Sequence, residues 1–329
     1  MLFRWGYLMN NILMSIINKL YETDAGIVAL RHYNNFCLNL EDLSFIRNDN
    51  KNTMSFHKNF CDSNISEPFA PFLQAVNELR IKHEIRVDEI IETCNIYPLH
   101  HEVFESYFTT GVSVRKEKPL INEISFEQQL FVEEVARILE FFSKIEPLCF
   151  VLEIVSAAGY STLLEIHKLM DMSIKEISII CTFNESDTEI EYTKELWSSI
   201  VSDWDTNDII LDIIDDDEQV IDHKNSNITY PINELDDIYV QMCNLFTFTC
   251  YRQVTYHLNS IYHKFEVEKI SVSAETKFKY YELYATTAMY MDQCSEAMLY
   301  LSKMKPLLIE LEDKIWKIRY NLTAASIYM

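Results

Sequence analysis

The residues best placed to do chemistry lie between 147 and 184. Pro147 leads into an apolar run, Leu148-Cys149-Phe150-Val151-Leu152, that ends on an acid, Glu153. A buried strand that ends in acids and feeds a helix is the layout of a nucleotide-hydrolysing core, whose acids hold the metal and position the attacking water. Here Ile154 stands where a second acid is expected, and Val155-Ser156-Ala157-Ala158-Gly159 makes the connection. Ser161-Thr162-Leu163-Leu164 then opens a helix, and a second buried strand, Ile177 to Thr182, follows. Glu153 reads in two ways. At the carboxyl end of a central parallel strand it sits where open α/β sheets bind ligands, but strand-end acids also cap helices.

Other candidates read more plainly. His100-His101 with Glu102 suggests a metal or an acid–base pair, yet neighbours on a helix point about 100° apart and chelate poorly, so a surface or packing role is expected. His167 is expected on a helix surface. No Gly-x-Ser-x-Gly elbow occurs, so Ser161 reads as a helix N-cap rather than a nucleophile. Tyr280, Tyr281, Tyr284 and Tyr290 recur at helical spacing and read as core. The eight cysteines are scattered, with no CxxC and no His partner at metal spacing, which points to free thiols in a reducing, cytoplasmic compartment. No catalytic residue and no metal ligand is assigned.

Positioning such residues takes an ordered, helix-rich scaffold. The chain has 329 residues, 48% of them hydrophobic, with only 4 Gly and 7 Pro, too little turn glycine for a dense all-β fold. A net charge of -23 excludes the phosphate neutralisation that non-specific nucleic-acid binding needs, and disfavours an anionic membrane. The apolar N-terminus, MLFRWGYLMNNILMSIINKL, lacks a signal-peptide n-region and cleavage site, and no run reaches the roughly 18 to 20 apolar residues that span a bilayer. Asn11 to Leu20 reads as an amphipathic helix, Ile27 to Leu30 as a buried strand, and residues 47 to 66, rich in Asn, Asp and Ser, as a loop. Two prolines in Glu67-Pro68-Phe69-Ala70-Pro71-Phe72 set the entry of a helix with Phe69, Phe72, Leu73, Val76 and Leu79 on its apolar face.

Together, Pro68-Phe69-Ala70-Pro71-Phe72, the strand ending at Glu153 and the strand after it resemble, in that order, the signal-transduction P-loop ATPases of the STAND/AAA type that carry tetratricopeptide repeats, as in large bacterial regulators. The resemblance covers roughly residues 10 to 185 and implies a mainly parallel sheet flanked by helices. It makes Glu153 the match to the first Walker B acid, a low-grade nucleotide-binding position, with Ile154 replacing the second. A phosphate-binding loop needs glycines and a Lys. The segment before the first helix, MLFRWGYLMNN, has Gly6 alone and no Lys, and GxxxxGK[ST] occurs nowhere. Two expectations stay open: a decayed site that takes no cofactor, or an ATP- and Mg-dependent switch whose loop precedes Met1.

Residues 185 to 218 carry 13 acids against one base, Lys194, and read as a solvated linker. Beyond them, helices are expected at 233 to 263, 273 to 290, 294 to 304 and 306 to 327. Tyr281, Tyr284, Ala285, Ala297 and Leu301, with Asp292 in the turn, resemble the framework of one tetratricopeptide-like repeat, which implies a protein-binding role for them; Lys303 is placed on the solvated side. The apolar NLTAASIYM suggests that further repeats follow. The expected architecture is therefore a degenerate P-loop ATPase-like α/β domain at 1–200, an acidic linker at 201–232 and an all-α repeat domain at 233–329. The expected function is non-catalytic regulation or scaffolding through a protein partner, without direct nucleic-acid or membrane contact. The rivals are the ATP-dependent switch and, more weakly, an acidic inhibitor or immunity protein that uses the 185–218 acids.

Overall fold

The computed structural model describes residues 14–20, 26–32, 54–61, 67–115, 124–184, 192–213 and 230–328. The chain divides into two compact units, one of residues 1–63, 69–96 and 132–227, the other of 64–68, 97–131 and 228–329. In chain order the elements are α1 (14–20), β1 (Ile27–His32), β2 (Ser55–Phe60), α2 (Phe72–Lys82), α3 (Val87–Thr93), α4 (His101–Thr110), α5 (Ile124–Ile145), β3 (Leu148–Glu153), α6 (Tyr160–Met172), β4 (Ile177–Asn184), α7 (Lys194–Thr206) and β5 (Ile210–Ile213). Then come α8 (Leu235–Thr247), α9 (Tyr251–Glu266), α10 (Ala274–Tyr290), α11 (Cys294–Leu307) and α12 (Lys314–Tyr328).

The first unit is a five-stranded sheet in the order β2-β3-β4-β1-β5, every neighbouring pair parallel. Parallel strands are covered on both faces and so read as unbroken apolar runs. All six residues of β3 are buried. On one face Val28, Leu30, Cys149, Val151 and Ile180 pack beneath Ile16 of α1. On the other, Phe72 meets Phe150 edge-on at 4.8 Å. Burial pushes the Cys149 thiol up to about 12, so it behaves as a small hydrophobe.

Two stretches depart from the sequence expectation. Within 47 to 66, expected as a loop, Ser55 to Phe60 forms the edge strand β2. Its alternating polar residues carry a weak strand signal because an edge strand need not be apolar on both faces. The acidic run 185–218 is no simple linker either, since it contains α7 and β5. Trp197, Ile200 and Trp204 lie on the buried side of α7, and Trp197 packs edge-on against Phe183 of β4 at 5.3 Å. Its acids take the other side or pair locally: Arg31 donates to Asp212 at 2.6 Å, and Lys19 to Asp208 at 2.5 Å.

In the second unit, Phe104, Phe131 and Phe248 meet with ring centroids 5.1–5.9 Å apart. His100 is fully buried and stacks on Phe131 at 3.8 Å, the packing role expected of it. Asn244 is a buried hub: its Oδ1 accepts from Ser113 N and Oγ at 2.9 and 3.0 Å, and its Nδ2 donates to the Gly111 carbonyl at 2.9 Å. The expected helix 233–263 is two, α8 and α9, broken at Phe248–Cys250, where Thr249 takes a positive φ of 60°.

Helices α10 and α11 form a tight hairpin. Tyr281, Tyr284, Ala285, Ala297 and Leu301 are all buried, and Tyr284 stacks on Tyr300 at 3.7 Å. Asp292 turns the chain with φ 57°. Pro306 lies inside the last turn of α11 rather than opening the next helix; so near the end it forfeits a single i→i−4 bond. Lys303 is not on the solvated side, for it sits 4.9 Å over the Tyr262 ring and 3.3 Å from Glu266.

Gly26 enters β1 with φ +61°, and a Cβ there would lie 2.5 Å from the Ile177 carbonyl oxygen. Gly111 has a similar φ, +72°, but no atom within 4 Å of such a Cβ. Gly111→Ala should therefore cost about 1 kcal/mol for backbone strain, and Gly26→Ala at least about 2 kcal/mol, because a clash adds to it. Equal urea midpoints for the two variants would contradict the close approach of β1 and β4. In the hairpin, Ala285→Leu or Ala297→Leu should overpack and destabilise by about 1–3 kcal/mol, whereas Lys305→Leu, at an exposed position, should leave the midpoint nearly unchanged.

Candidate functional site

In an open parallel sheet, ligands bind beyond the carboxyl ends of the strands, where the connections reverse direction. The chain leaves β1 towards the β2 edge and leaves β4 towards the β5 edge, so the reversal lies between β1 and β4. Their last residues, His32 and Asn184, are in register and both buried. One strand over, β3 delivers Glu153. The candidate site is thus built from the ends of three adjacent strands, and its side chains are set by the sheet register.

Glu153 is buried and paired with Lys58 of β2, whose Nζ lies 3.1 Å from Oε2. Ile154, where the acid pair would continue, takes the left-handed conformation (φ 56°, ψ 50°) and donates its N–H to Thr182 Oγ1 at 3.3 Å. A β-branched residue at positive φ is strained, and the turn of Val155–Ala157 that follows is wound as a 3₁₀ segment.

Ser161 is not the N-cap of α6, a position held by Gly159. Its Oγ instead accepts the N–H of Phe69 at 2.9 Å, while Thr162 Oγ1 donates to the Ala70 carbonyl at 2.6 Å. Phe69 is itself left-handed, φ 54°, and fully buried. The two segments that drew attention in the sequence, Pro68 to Phe72 and the turn after Glu153, are therefore fastened together through α6. His167 is partly exposed, 3.3 Å from Asp203 of α7. His101 is half-buried at the head of α4.

A second polar group lies on β2 and α2. Ser55 Oγ and His57 Nε2 share a hydrogen bond of 3.0 Å, and His57 Nδ1 stands 3.5 Å from Glu78. Burial lowers the His57 pKa, against the opposing pull of Glu78 and Glu146. Beside them, burial would raise the Glu146 carboxyl, but Lys82 at 2.6 Å and His83 at 3.0 Å hold it below the usual carboxylate range. The Ser–His–Glu line has the order of a nucleophile relay. The Ser55 N–H is itself bonded to the Pro147 carbonyl at 2.9 Å and so is not offered to an oxyanion.

Glu165 was not singled out in the sequence, although an acid within Leu163-Leu164-Glu165-Ile166 was the available signal. It is fully buried in α6, and neither carboxylate oxygen has a hydrogen-bond partner among the described residues. Burial raises its pKa well above the usual value, with Lys168 opposing weakly. Burial thus favours its protonated form.

Nucleotide chemistry fits these residues poorly. A phosphate loop joins a strand at the direction reversal to the helix after it, and here that strand is β1. Residues 33–53 contain no glycine and one lysine, Lys51, so the backbone cradle that phosphates require is lacking in composition. Glu153 is already matched by a lysine, and Ile154 cannot ligate a metal. Among the described residues no group of three or more His, Cys, Asp or Glu is placed to hold a metal ion, and no helix is long and apolar enough to cross a membrane. No protein-family model matches the chain, and no curated protein matches its sequence.

Replacing Glu165 by Met should stabilise the protein at pH 7 by about 1–4 kcal/mol, as exchange of a buried ionisable group for an apolar one of similar size often does. The sign follows from linkage. The folded-state pKa is raised, so stability from Glu165 is complete below the unfolded value near 4.5 and is lost as pH rises above it. The advantage of Glu165→Met should therefore shrink as pH falls towards 4.5. Urea titrations of both proteins at pH 4.5 and 7 check this; a gain that does not change with pH would contradict the neutral, unpartnered acid.

Proposed function

We propose that the chain is a non-catalytic regulatory or scaffold protein, related to the signal-transduction P-loop ATPases, that works through protein contacts of its helical second unit. The observation that carries this reading is the Glu153–Lys58 ion pair at 3.1 Å. The position resembling a Walker B acid has its charge balanced inside the sheet, and its neighbour Ile154 is committed to a turn. Nothing about that arrangement positions a water or stabilises developing charge, which is nearly all that phosphoryl-transfer catalysis consists of. The parallel sheet and the fastening of Phe69 and Ala70 to α6 support descent from a ligand-binding architecture, and the glycine-free stretch after β1 supports loss of the ligand.

The α10–α11 hairpin supports the partner-binding half of the reading. Its small buried residues, Ala285, Ala288 and Ala297, sit between large aromatics, the arrangement by which repeat helices approach closely and stack. An ATP-dependent switch would need a phosphate loop delivered from outside the sheet position that β1 holds. The acidic-inhibitor reading is weakened because Asp203, Asp208 and Asp212 each face a base of the same unit, His167, Lys19 and Arg31.

The purified chain should neither bind ATP tightly nor hydrolyse it. Titration with a fluorescent ATP analogue and Mg2+ checks this, and Ile154→Glu alone should leave the result unchanged. A dissociation constant in the micromolar range that is abolished by Glu153→Ala would replace this reading with the ATP-dependent switch.

A further inference from the structure

One polar contact of the second unit joins two buried side chains, and one of the two is an imidazole, the group whose ordinary charge change lies closest to neutral pH. Tyr230, just ahead of α8, is buried, while Pro231, Asn233 and Glu234 after it are exposed. Its hydroxyl lies 2.6 Å from His257 Nδ1 of α9, with the two rings perpendicular. Ser260 bonds the same hydroxyl. The Tyr230 carbonyl accepts from Lys264 Nζ at 3.1 Å, and that ammonium lies 5.8 Å from the centre of the Tyr230 ring. Residues 257, 260 and 264 recur on one face of a helix, so Tyr230 straps the entry of α8 along α9.

The imidazole is poorly placed to take a proton. His257 is 1% exposed, and its Nε2 has no hydrogen-bond partner among the described residues. An imidazolium donates from both nitrogens: here Nδ1 faces the phenol oxygen and Nε2 faces no acceptor. The titratable groups around the pair bring it no counter-charge. On α9 itself they are Tyr256, edge-on to His257 at 5.4 Å, and Lys264, a cation that opposes a second one. The strap brings Tyr230, whose pKa burial raises, so the phenol keeps its proton. Beyond Tyr230, α10 adds Tyr280, which in turn senses Asp236 and Tyr239 of α8. Among the described residues no carboxylate acts on His257, and burial alone pushes its pKa down to about 3.

From this geometry we infer that Tyr230 and His257 form a proton-sensitive latch: proton uptake by the imidazole releases Tyr230 from α9 while the helices stay packed. Helices α8, α9 and α10 are held by buried Met242, Leu245, Val254, Leu258, Ile261 and Phe278, whereas a single buried tyrosine docks the strap, and segments with few buried contacts open first. The direction follows from linkage. The docked state has the lowered pKa, so docking is complete above the usual value of 6.5 and weakens as pH falls below it. The loss is up to about tenfold in the docked-to-released ratio per pH unit. The latch is separate from the strand-end site and from any nucleotide chemistry there.

The test places a fluorine-labelled tyrosine at position 230 of the full chain and follows its magnetic resonance signal from about pH 7.5 to about pH 4.5, with circular dichroism in parallel. The signal of the released ring should grow towards low pH, by up to about tenfold per unit, while the helical signal holds constant. His257→Gln keeps a hydrogen-bonding group but cannot titrate, and should leave the fluorine signal fixed across the range. A signal that does not move in the parent chain, or moves equally in His257→Gln, would overturn the proposal. So would helix loss in step with the fluorine change, which marks general acid unfolding. Should His257→Gln not fold, the ring resonances of the parent chain decide: His257 should take up its proton together with the release of Tyr230. Titration of His257 near 6.5 with Tyr230 still docked, or release of Tyr230 with His257 still neutral, would remove the latch.

Discussion

The hydroxyls of Ser161 and Thr162 leave the first turn of α6 and bond the backbone of Phe69 and Ala70, and the architecture of the first unit follows from that fastening. A helix start has N–H groups to satisfy, and Ser and Thr usually satisfy them locally. Here both side chains are spent at long range instead, and Gly159 takes the cap position without a side-chain bond. The return is a fixed left-handed turn at Phe69, which seats Phe72 against Phe150 and aligns α2 over the sheet. The same two hydroxyl bonds tie the start of α6, just after the short connection from Glu153, to the Phe69–Ala70 segment. Ile154 takes its strained turn with its N–H on Thr182 Oγ1, and Lys58, in register with Val151, reaches Glu153 diagonally across the β2–β3 pair.

That constraint belongs to a wider pattern, in which contacts other than charge order the first unit. Sheet order, strand burial and the placement of α6 depend on apolar contacts and a few buried hydroxyl bonds, none of which involve an acid or a phosphate. Retaining a single unpaired buried carboxylate would cost several kcal/mol, so Glu153 needs a cation, and Lys58 is the one that the register supplies. Glu165 makes the complementary case: its oxygens have no hydrogen-bond partner among the described residues, and burial favours the protonated form.

The sequence made the central parts legible because they obey one strong rule each. Leu148 to Leu152 and Ile177 to Thr182 are unbroken apolar runs, and only strands buried on both faces look like that over such short lengths. Ala285 and Ala297, set among tyrosines at helical spacing, marked the hairpin. The misses arose where two signals competed. In 194–213 the acids on the outer side of α7 masked the Trp197, Ile200 and Trp204 stripe. In 55–60 the edge strand offered Ser, His, Lys and Asn. At Phe248–Cys250 no Gly or Pro announced the break, because Thr249 itself takes the left-handed conformation. Lys303 was misplaced since its aliphatic stem covers an aromatic ring while its ammonium reaches Glu266, so charge alone said nothing of exposure.

Of the candidate site, only Glu153 and Ile154 could be read in advance. Lys58, Thr182 and His32 belong to strands whose neighbours are fixed by topology, and one sequence does not reveal which strand lies beside which. The same reasoning bears on the two units as carriers of function. In the first, the strand-end acid Glu153 is paired within the sheet by Lys58. In the second, α12 secures its inner side with Trp316 packed on Phe278 and with Arg319 and Thr323 on Glu282. The direction of α12 is thus set jointly by an aromatic contact and a polar clamp, which leave Ile315, Ile318 and Leu322 exposed on its other side.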